Sequence, residues 1–248
     1  MSGHNRWAKI KHGKAKQDIV RGKLFTKAIK ELTISAKNGG GDPALNASLR
    51  VAIQKAKDIN MPQDTIKKAI QRGTGELPGV NYEELTYEGY GPGGCAIIID
   101  VLTDNKNKAV AEIRYLFDRN NGKMAEAGAV SYMFKKRACF TVSKEKATED
   151  SLMSIVLDAG AEDIKEVGDV FEITGEPSAF EAIKAALDNA KIETESGAIT
   201  KMPDTYVSLN KNDAEKMIRL EEALEEYDDV QDVYSNYDID EATAAEMA

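Results

Sequence analysis

The stretch GTGELPGVN, residues 73–81, divides two kinds of sequence and constrains the chain more than any other feature. Before it, apolar residues recur every three or four positions; after it come short β-branched runs separated by glycine turns. One periodicity cannot serve both parts, because a helix buries a stripe and a strand buries alternate residues. The 248 residues therefore read as a helical part followed by α+β parts, with length enough for two or three domains.

In the helical part, Leu24, Phe25, Ala28, Ile29, Leu32 and Ala36 share one face, and Asn38-Gly39-Gly40-Gly41 ends the run. Asp42-Pro43 opens a second predicted helix with Leu45, Leu49, Ala52, Ile53 and Ala56 inward, ending near Asn60-Met61. Pro62 starts a third, with Ile66, Ala69 and Ile70 inward and Gly73 as its cap. The product is a small bundle with Lys-rich outer faces. The triglycine follows no strand and precedes no Lys-Ser/Thr, so it is a turn and not a phosphate loop.

Beyond residue 81, TYEGYGPGGCAIIIDVL predicts two strands around a glycine-rich turn. Its glycines run into Ala96-Ile97-Ile98-Ile99 and not into a helix, so no helix N-terminus is presented to a phosphate and the stretch reads as a hairpin. A helix over about 107–119 and a return to another strand through NNGKMAEAGAVSYMF follow. From Ala138 to Pro203 the order is strand, helix, strand, strand, helix, strand, which suggests a ferredoxin-like sandwich. A strand at 205–209, a helix carrying Met217, Leu220, Leu224 and Tyr227, and DVQDVYSN are too little to stand alone. They are expected to complete the sheet begun near residue 85, which makes the ferredoxin-like unit an insertion. The expected domains are a basic helical domain over 1–78, an α+β domain over 79–136 plus 205–248, and an inserted ferredoxin-like domain over 137–204. The closing DIDEATAAEMA reads as a frayed acidic tail.

The net charge of −9 conceals a division: residues 1–75 hold 16 Lys+Arg and 5 Asp+Glu, the remainder 17 and 37. A net +11 faces a net −20, so a polyanionic partner is expected for the first part alone. The cations begin in GHNRWAKIKHGKAKQ, residues 3–17, ahead of the first carboxylate, Asp18. Lys9, Lys11, Lys14, Lys16, Arg21 and Lys23 recur at short intervals suited to a phosphate backbone, with Arg6 and Lys27 flanking them. Gly3 and Gly13 suit a segment that follows a groove, and Trp7 either stacks on a base or packs against the bundle. His4 and His12 have no Cys, Asp or Glu among residues 1–17 to complete a metal site, so they read as donors to phosphate or base. No helix displays Asn, Gln and Arg in a base-reading pattern, which favours backbone and shape recognition.

Catalysis finds no support. The only two histidines lie in the basic segment, so neither a Ser-His-Asp nor a Cys-His arrangement can be assembled elsewhere. The carboxylates of EEALEEYDD are expected on the outer face of a helix. Cys95 and Cys139 read as small core residues in a reducing compartment. Neither a secretory signal pattern nor a bilayer-length apolar run is present, and the basic start is rich in Lys and Gly where a transit peptide is rich in Arg and Ser. A cytoplasmic protein without cofactor, metal or small-molecule substrate is expected.

GHNRWAKIKH, KQDIVRGKLFTKAIKEL, GGGDP, NMPQDTIKKAIQRGTGE, YEGYGPGG, LTDNKNKAVAEIRYLF and GAVSYMF together resemble the YebC/PmpR family, in order and over nearly the whole chain. The resemblance implies three domains, the last inserted in the second, and a DNA-binding transcriptional regulator. It implies as an alternative a ribosome-associated RNA-binding translation factor, since relatives include a mitochondrial translational activator. The family commonly has Arg where this chain has Gly13, and a Lys-Gly turn where this chain has Arg137-Ala138. A third reading is a protein-binding adaptor working through its acidic domains. The nucleic-acid-binding candidates are His4, Arg6, Trp7, Lys9, Lys11, His12, Lys14, Lys16, Arg21, Lys23 and Lys27.

Overall fold

The structure is a computed structural model that describes residues 17–247. Helix α1 (Gln17–Gly39) starts well before the predicted apolar run, so Arg21, Lys23 and Lys27 are helical. Helices α2 (Ala47–Asp58) and α3 (Gln63–Gly73) pack against it around Leu32, Leu49, Ala52, Ala56, Ile66 and Ala69. Helix α2 begins later than Asp42-Pro43 suggests. Asn46 is its N-cap, accepting from the Leu49 amide at 3.0 Å, while its side-chain amide donates to the carbonyls of Ser35 and Gly40. Asp42 instead accepts from Ala44 within the preceding turn, and Leu45 is left 86% exposed. Gly73 is no left-handed cap; Gly75, with φ of 82°, takes that conformation. A Cβ on Gly73 would lie 2.3 Å from the Thr33 carbonyl oxygen, so glycine lets α3 close on α1.

Strands β1 (Glu83–Tyr90) and β2 (Ala96–Thr103) form the expected hairpin, with Gly93 and Gly94 at positive φ in the turn. With β3 (Lys123–Ala125) and β9 (Val230–Ser235) they make an antiparallel sheet in the order β3-β1-β2-β9. One face is covered by α4 (Lys106–Arg119) and α7 (Lys211–Glu226), through Ile113, Phe117, Met217, Leu220 and Leu224. On the other, Val130 and Phe134 of the 126–134 segment cover Ala96 and Ile98. That segment is tied down by the buried Glu88 carboxylate, which accepts from the amides of Gly128 and Val130 at 2.7 Å and Ser131 at 2.9 Å. Burial pushes the Glu88 pKa up, but the three amides together with the Ser131 side chain outweigh it and hold the carboxyl below its ordinary range.

The sheet is completed only in part as expected. Residues 230–235 join it, but 205–209 contributes just β8 (Val207–Ser208), paired in parallel with β10 (Tyr237–Asp238) outside the sheet. Asn236 explains the departure: its amide donates to the Ala96 carbonyl and its side-chain oxygen accepts from the Ala96 amide, which ends the β2–β9 ladder. The acidic tail is helical as well, as α8 (Glu241–Met247). The Asp240 carboxylate accepts from the Thr243 amide at 2.7 Å, and Ala244 and Met247 pack on the α4–α7 core.

Between β3 and β8 the chain forms β4 (Phe134–Ser143), α5 (Glu149–Val156), β5 (Ala161–Val167), β6 (Val170–Gly175), α6 (Phe180–Asn189) and β7 (Ser196–Pro203). Its antiparallel sheet runs β5-β6-β4-β7, the ferredoxin-like order. Both helices contribute to its core, Leu152 and Val156 from α5 and Ile183 and Leu187 from α6, packed with Phe140, Val142 and Ile173.

Candidate nucleic-acid interface

Eight of the eleven candidate residues, His4, Arg6, Trp7, Lys9, Lys11, His12, Lys14 and Lys16, lie outside the described residues. Arg21, Lys23 and Lys27 lie on α1. The structure brings Lys23 and Lys27 together with Lys30 on one stripe, at spacings of four and three residues. That stripe meets the C-terminus of α7. Lys23 Nζ donates to the Glu226 carbonyl at 3.1 Å and Lys27 Nζ to the Glu225 carbonyl at 3.2 Å.

A helix end explains the attraction. The last carbonyls of α7 lack partners within the helix and sit at the negative end of its dipole. Its last turn has no basic residue and carries Glu225 and Glu226, the wrong sign for that end. Cations therefore arrive from α1, some two hundred residues away in sequence. Lys30 goes deepest: its Nζ donates to the Asp228 carbonyl at 2.9 Å, the Leu102 carbonyl at 3.4 Å and the Asp229 carboxylate. Asp229 also accepts from the Thr103 hydroxyl at 2.8 Å and the Tyr227 hydroxyl at 2.9 Å. Burial raises the Asp229 pKa, but the hydrogen bonds from Lys30, Thr103 and Tyr227 prevail and leave it below the ordinary value. Burial lowers the Lys27 pKa against the opposing pull of Glu225, Asp232 and Asp228.

Away from this contact the bundle presents Lys37, Arg50, Lys57, Lys67, Lys68 and Arg72, all exposed. From residue 22 to residue 75 the only carboxylates are Glu31, Asp42, Asp58 and Asp64, and Glu31 is paired with Lys55 at 2.7 Å. None of the six was singled out among the candidates. The signal was available, because Lys67 and Lys68 on α3 avoid the stripe of Ile66 and Ala69.

Elsewhere the chemistry points away from phosphate. A cleft of about 680 Å³ where the bundle and the two sheets meet is lined by Glu31, Glu84, Asp100 and Asp232 as well as Lys136 and Lys201. Lys201 is committed to Asp100 there. Burial raises the Asp232 pKa, Lys55 and Lys27 oppose the rise, and Glu31 and Asp100 reinforce it. The carboxylates of EEALEEYDD are not all on an outer face. Glu221 is buried and accepts from the Tyr237 hydroxyl at 2.8 Å, and Asp229 is the Lys30 partner. Apolar spacing along α7 concealed this, since Glu221 sits between Leu220 and Leu224 on the packed side.

Among the described residues no cluster of His, Cys, Asp and Glu could hold a metal ion, and no helix is long and apolar enough to cross a membrane. Cys95 and Cys139 are unbonded, and burial pushes both thiols up to about 12, so neither supplies a thiolate near neutral pH.

Comparison with known proteins agrees over the whole length. Residues 5–76 match the model for the TACO1/YebC protein N-terminal domain, and residues 82–237 match that for the TACO1/YebC second and third domain. A protein of Desulfatibacillum aliphaticivorans named a probable transcriptional regulatory protein is 53% identical over 96% of this chain and 97% of its own. One of the same description from Koribacter versatilis is 52% identical over the full length of both. The crystal structure of a conserved hypothetical protein from Aquifex aeolicus superposes with a TM-score of 0.83 at 40% identity, covering 95% of this chain and 98% of the other. With both parts matched in order, the chain belongs to the TACO1/YebC family.

Proposed function

We propose that this protein is a non-enzymatic, cytoplasmic regulator of gene expression that binds DNA through its helical part. The observation that carries the reading is the set of exposed cations on α2 and α3, Arg50, Lys57, Lys67, Lys68 and Arg72, in a sequence whose residues 6–16 add five more Lys and Arg. The relatives named as transcriptional regulatory proteins favour DNA as the polyanion. The acidic α+β parts, taken as domains over 79–136 plus 205–248 and over 137–204, then face solvent or a protein partner. A Debye length of about 8 Å allows them to be held clear of a duplex.

Ribosomal RNA is the second reading, favoured by one observation. The basic segment couples Trp7 to lysines and glycines without a base-reading helix, as single-strand and RNA binders do. Sedimenting a lysate with and without RNase separates the two. RNase-sensitive co-migration with ribosomes supports the RNA reading, and a sequence-specific footprint at physiological salt supports the DNA reading. Neutralising Lys9, Lys11, Lys14 and Lys16 together is expected to weaken binding and to flatten its salt dependence by about 0.9 log unit per lost duplex phosphate contact. An unchanged slope in that variant would remove the basic segment from the interface.

A further inference from the structure

The C-terminal end of α7 has the chemistry of a phosphate group as seen by a lysine. It presents carbonyl oxygens at the negative end of a helix dipole, with the carboxylates of Glu225, Glu226 and Asp228 beside them. Lys23 and Lys27 donate to that end, and both were candidates for phosphate on sequence grounds. In this arrangement both are already occupied. Their Nζ atoms donate to α7, Lys27 is half-buried, and a phosphate approaching them would meet the like charge of the Glu225, Glu226 and Asp228 carboxylates. Lys30 differs from its neighbours, being buried and held by Asp229 with two backbone carbonyls.

We infer that the end of α7 is an internal stand-in for phosphate, which occupies Lys23 and Lys27 until nucleic acid displaces it while Lys30 stays in place as the anchor. This rests on the nucleic-acid reading above and adds a regulated element to it. Both contacts are made by the Nζ at the tip of a flexible side chain, so they can be released without moving α1. Binding then costs the protein the cations that cap α7, and in return two phosphate contacts are gained. Affinity is thereby tied to whatever else contacts the α7 terminus, including a protein partner.

The test uses the full chain with a random-sequence DNA duplex and a poly(U) strand as probes. The double variant Lys23→Gln/Lys27→Gln is expected to bind the duplex more weakly, with a salt slope reduced by just under about two units. The triple variant Glu225→Gln/Glu226→Gln/Asp228→Asn is expected to bind more tightly than a control that removes the same charge far away, Glu145→Gln/Glu181→Gln/Asp188→Asn in the inserted unit. In the wild type, probe binding should accelerate hydrogen exchange at the amides of Tyr227 and Val230, which close the α7 terminus. Unchanged affinity and slope in the lysine variant, in a protein whose binding still depends on Lys9, Lys11, Lys14 and Lys16, would overturn this inference and leave the nucleic-acid reading standing. Equal tightening by the two acid-neutralised variants would overturn it too, since long-range charge alone then suffices. Failure of the wild type to bind either probe would overturn both.

Discussion

At the scale of single residues, the stakes concentrate on Lys30 and Asp229, whose side chains are 8% and 15% exposed. Lys30→Met would leave the half-buried Asp229 carboxylate with only the Thr103 and Tyr227 hydroxyls, a loss of about 1–3 kcal/mol. Urea unfolding should show it as a lower midpoint. Asp229 also makes stability depend on pH. Its folded pKa lies below the unfolded value of about 3.9, so the folded state resists protonation. The contribution is whole above the unfolded pKa and is lost as pH falls through the folded one. Urea midpoints measured down an acid series should therefore fall less steeply below about pH 4 for Asp229→Asn than for the wild type. Glu88 adds a second carboxylate of the same sign, and Glu88→Ala would strand three amides at the 126–134 segment, with about 3 kcal/mol lost. Thermal unfolding is the measurement there.

At the scale of elements, close approach and capping decide what periodicity leaves open. Gly73→Ala places a methyl on the Thr33 carbonyl, and a loss of about 1–3 kcal/mol is expected from the forced separation of α1 and α3. A melting temperature equal to the wild type would show that the helices yield without cost. The same residue illustrates how sequence reading works and where it stops. Its position after the apolar stripe of Ile66, Ala69 and Ile70 correctly marks the end of a helix. Its true reason, the backbone of another helix, is a tertiary fact that no local pattern encodes. Likewise Asn46 outcompetes Asp42 as the cap of α2 because Ser35 and Gly40 offer it carbonyls. The helical bundle, the β1–β2 hairpin and the βαββαβ order were all legible, since each follows from spacing and turn residues. The pairing of 207–208 with 237–238 and the helicity of the tail were not. The first depends on Asn236 ending a ladder, and the second on a cap and two packed side chains within an acidic run. For the candidate site, cationic composition marked α1, but it could not show that Lys23 and Lys27 turn inward, because the acceptors are backbone carbonyls of a distant helix.

At the scale of the whole molecule, the division of charge predicts that the salt dependence of binding resides in the helical bundle. Variants Lys57→Gln, Lys67→Gln and Lys68→Gln on the outer face of the bundle should each flatten the salt dependence of nucleic-acid binding, with little effect on stability at exposed sites. Equal slopes for all three and the wild type, read from fluorescence anisotropy over a salt series, would move the interface off this face. Contacts between the bundle and α7 should respond in the same sense, since Lys23 and Lys27 are held by attractions that also weaken as salt rises.

The pairing of Phe134 with Pro203 has a consequence for how such a chain could have been assembled. The ferredoxin-like unit leaves and rejoins its host through facing residues of adjacent strands, and just outside them the Asp204 amide donates to the Met133 carbonyl at 2.9 Å. Viewed from the host, nearly seventy residues amount to the loop of a hairpin. Such a loop can be lengthened, exchanged or removed while its two stems stay where they are. Replacing residues 136–201 with a short turn should thus preserve the host sheet and its α4–α7 core, with Phe134 retained to cover Ile98.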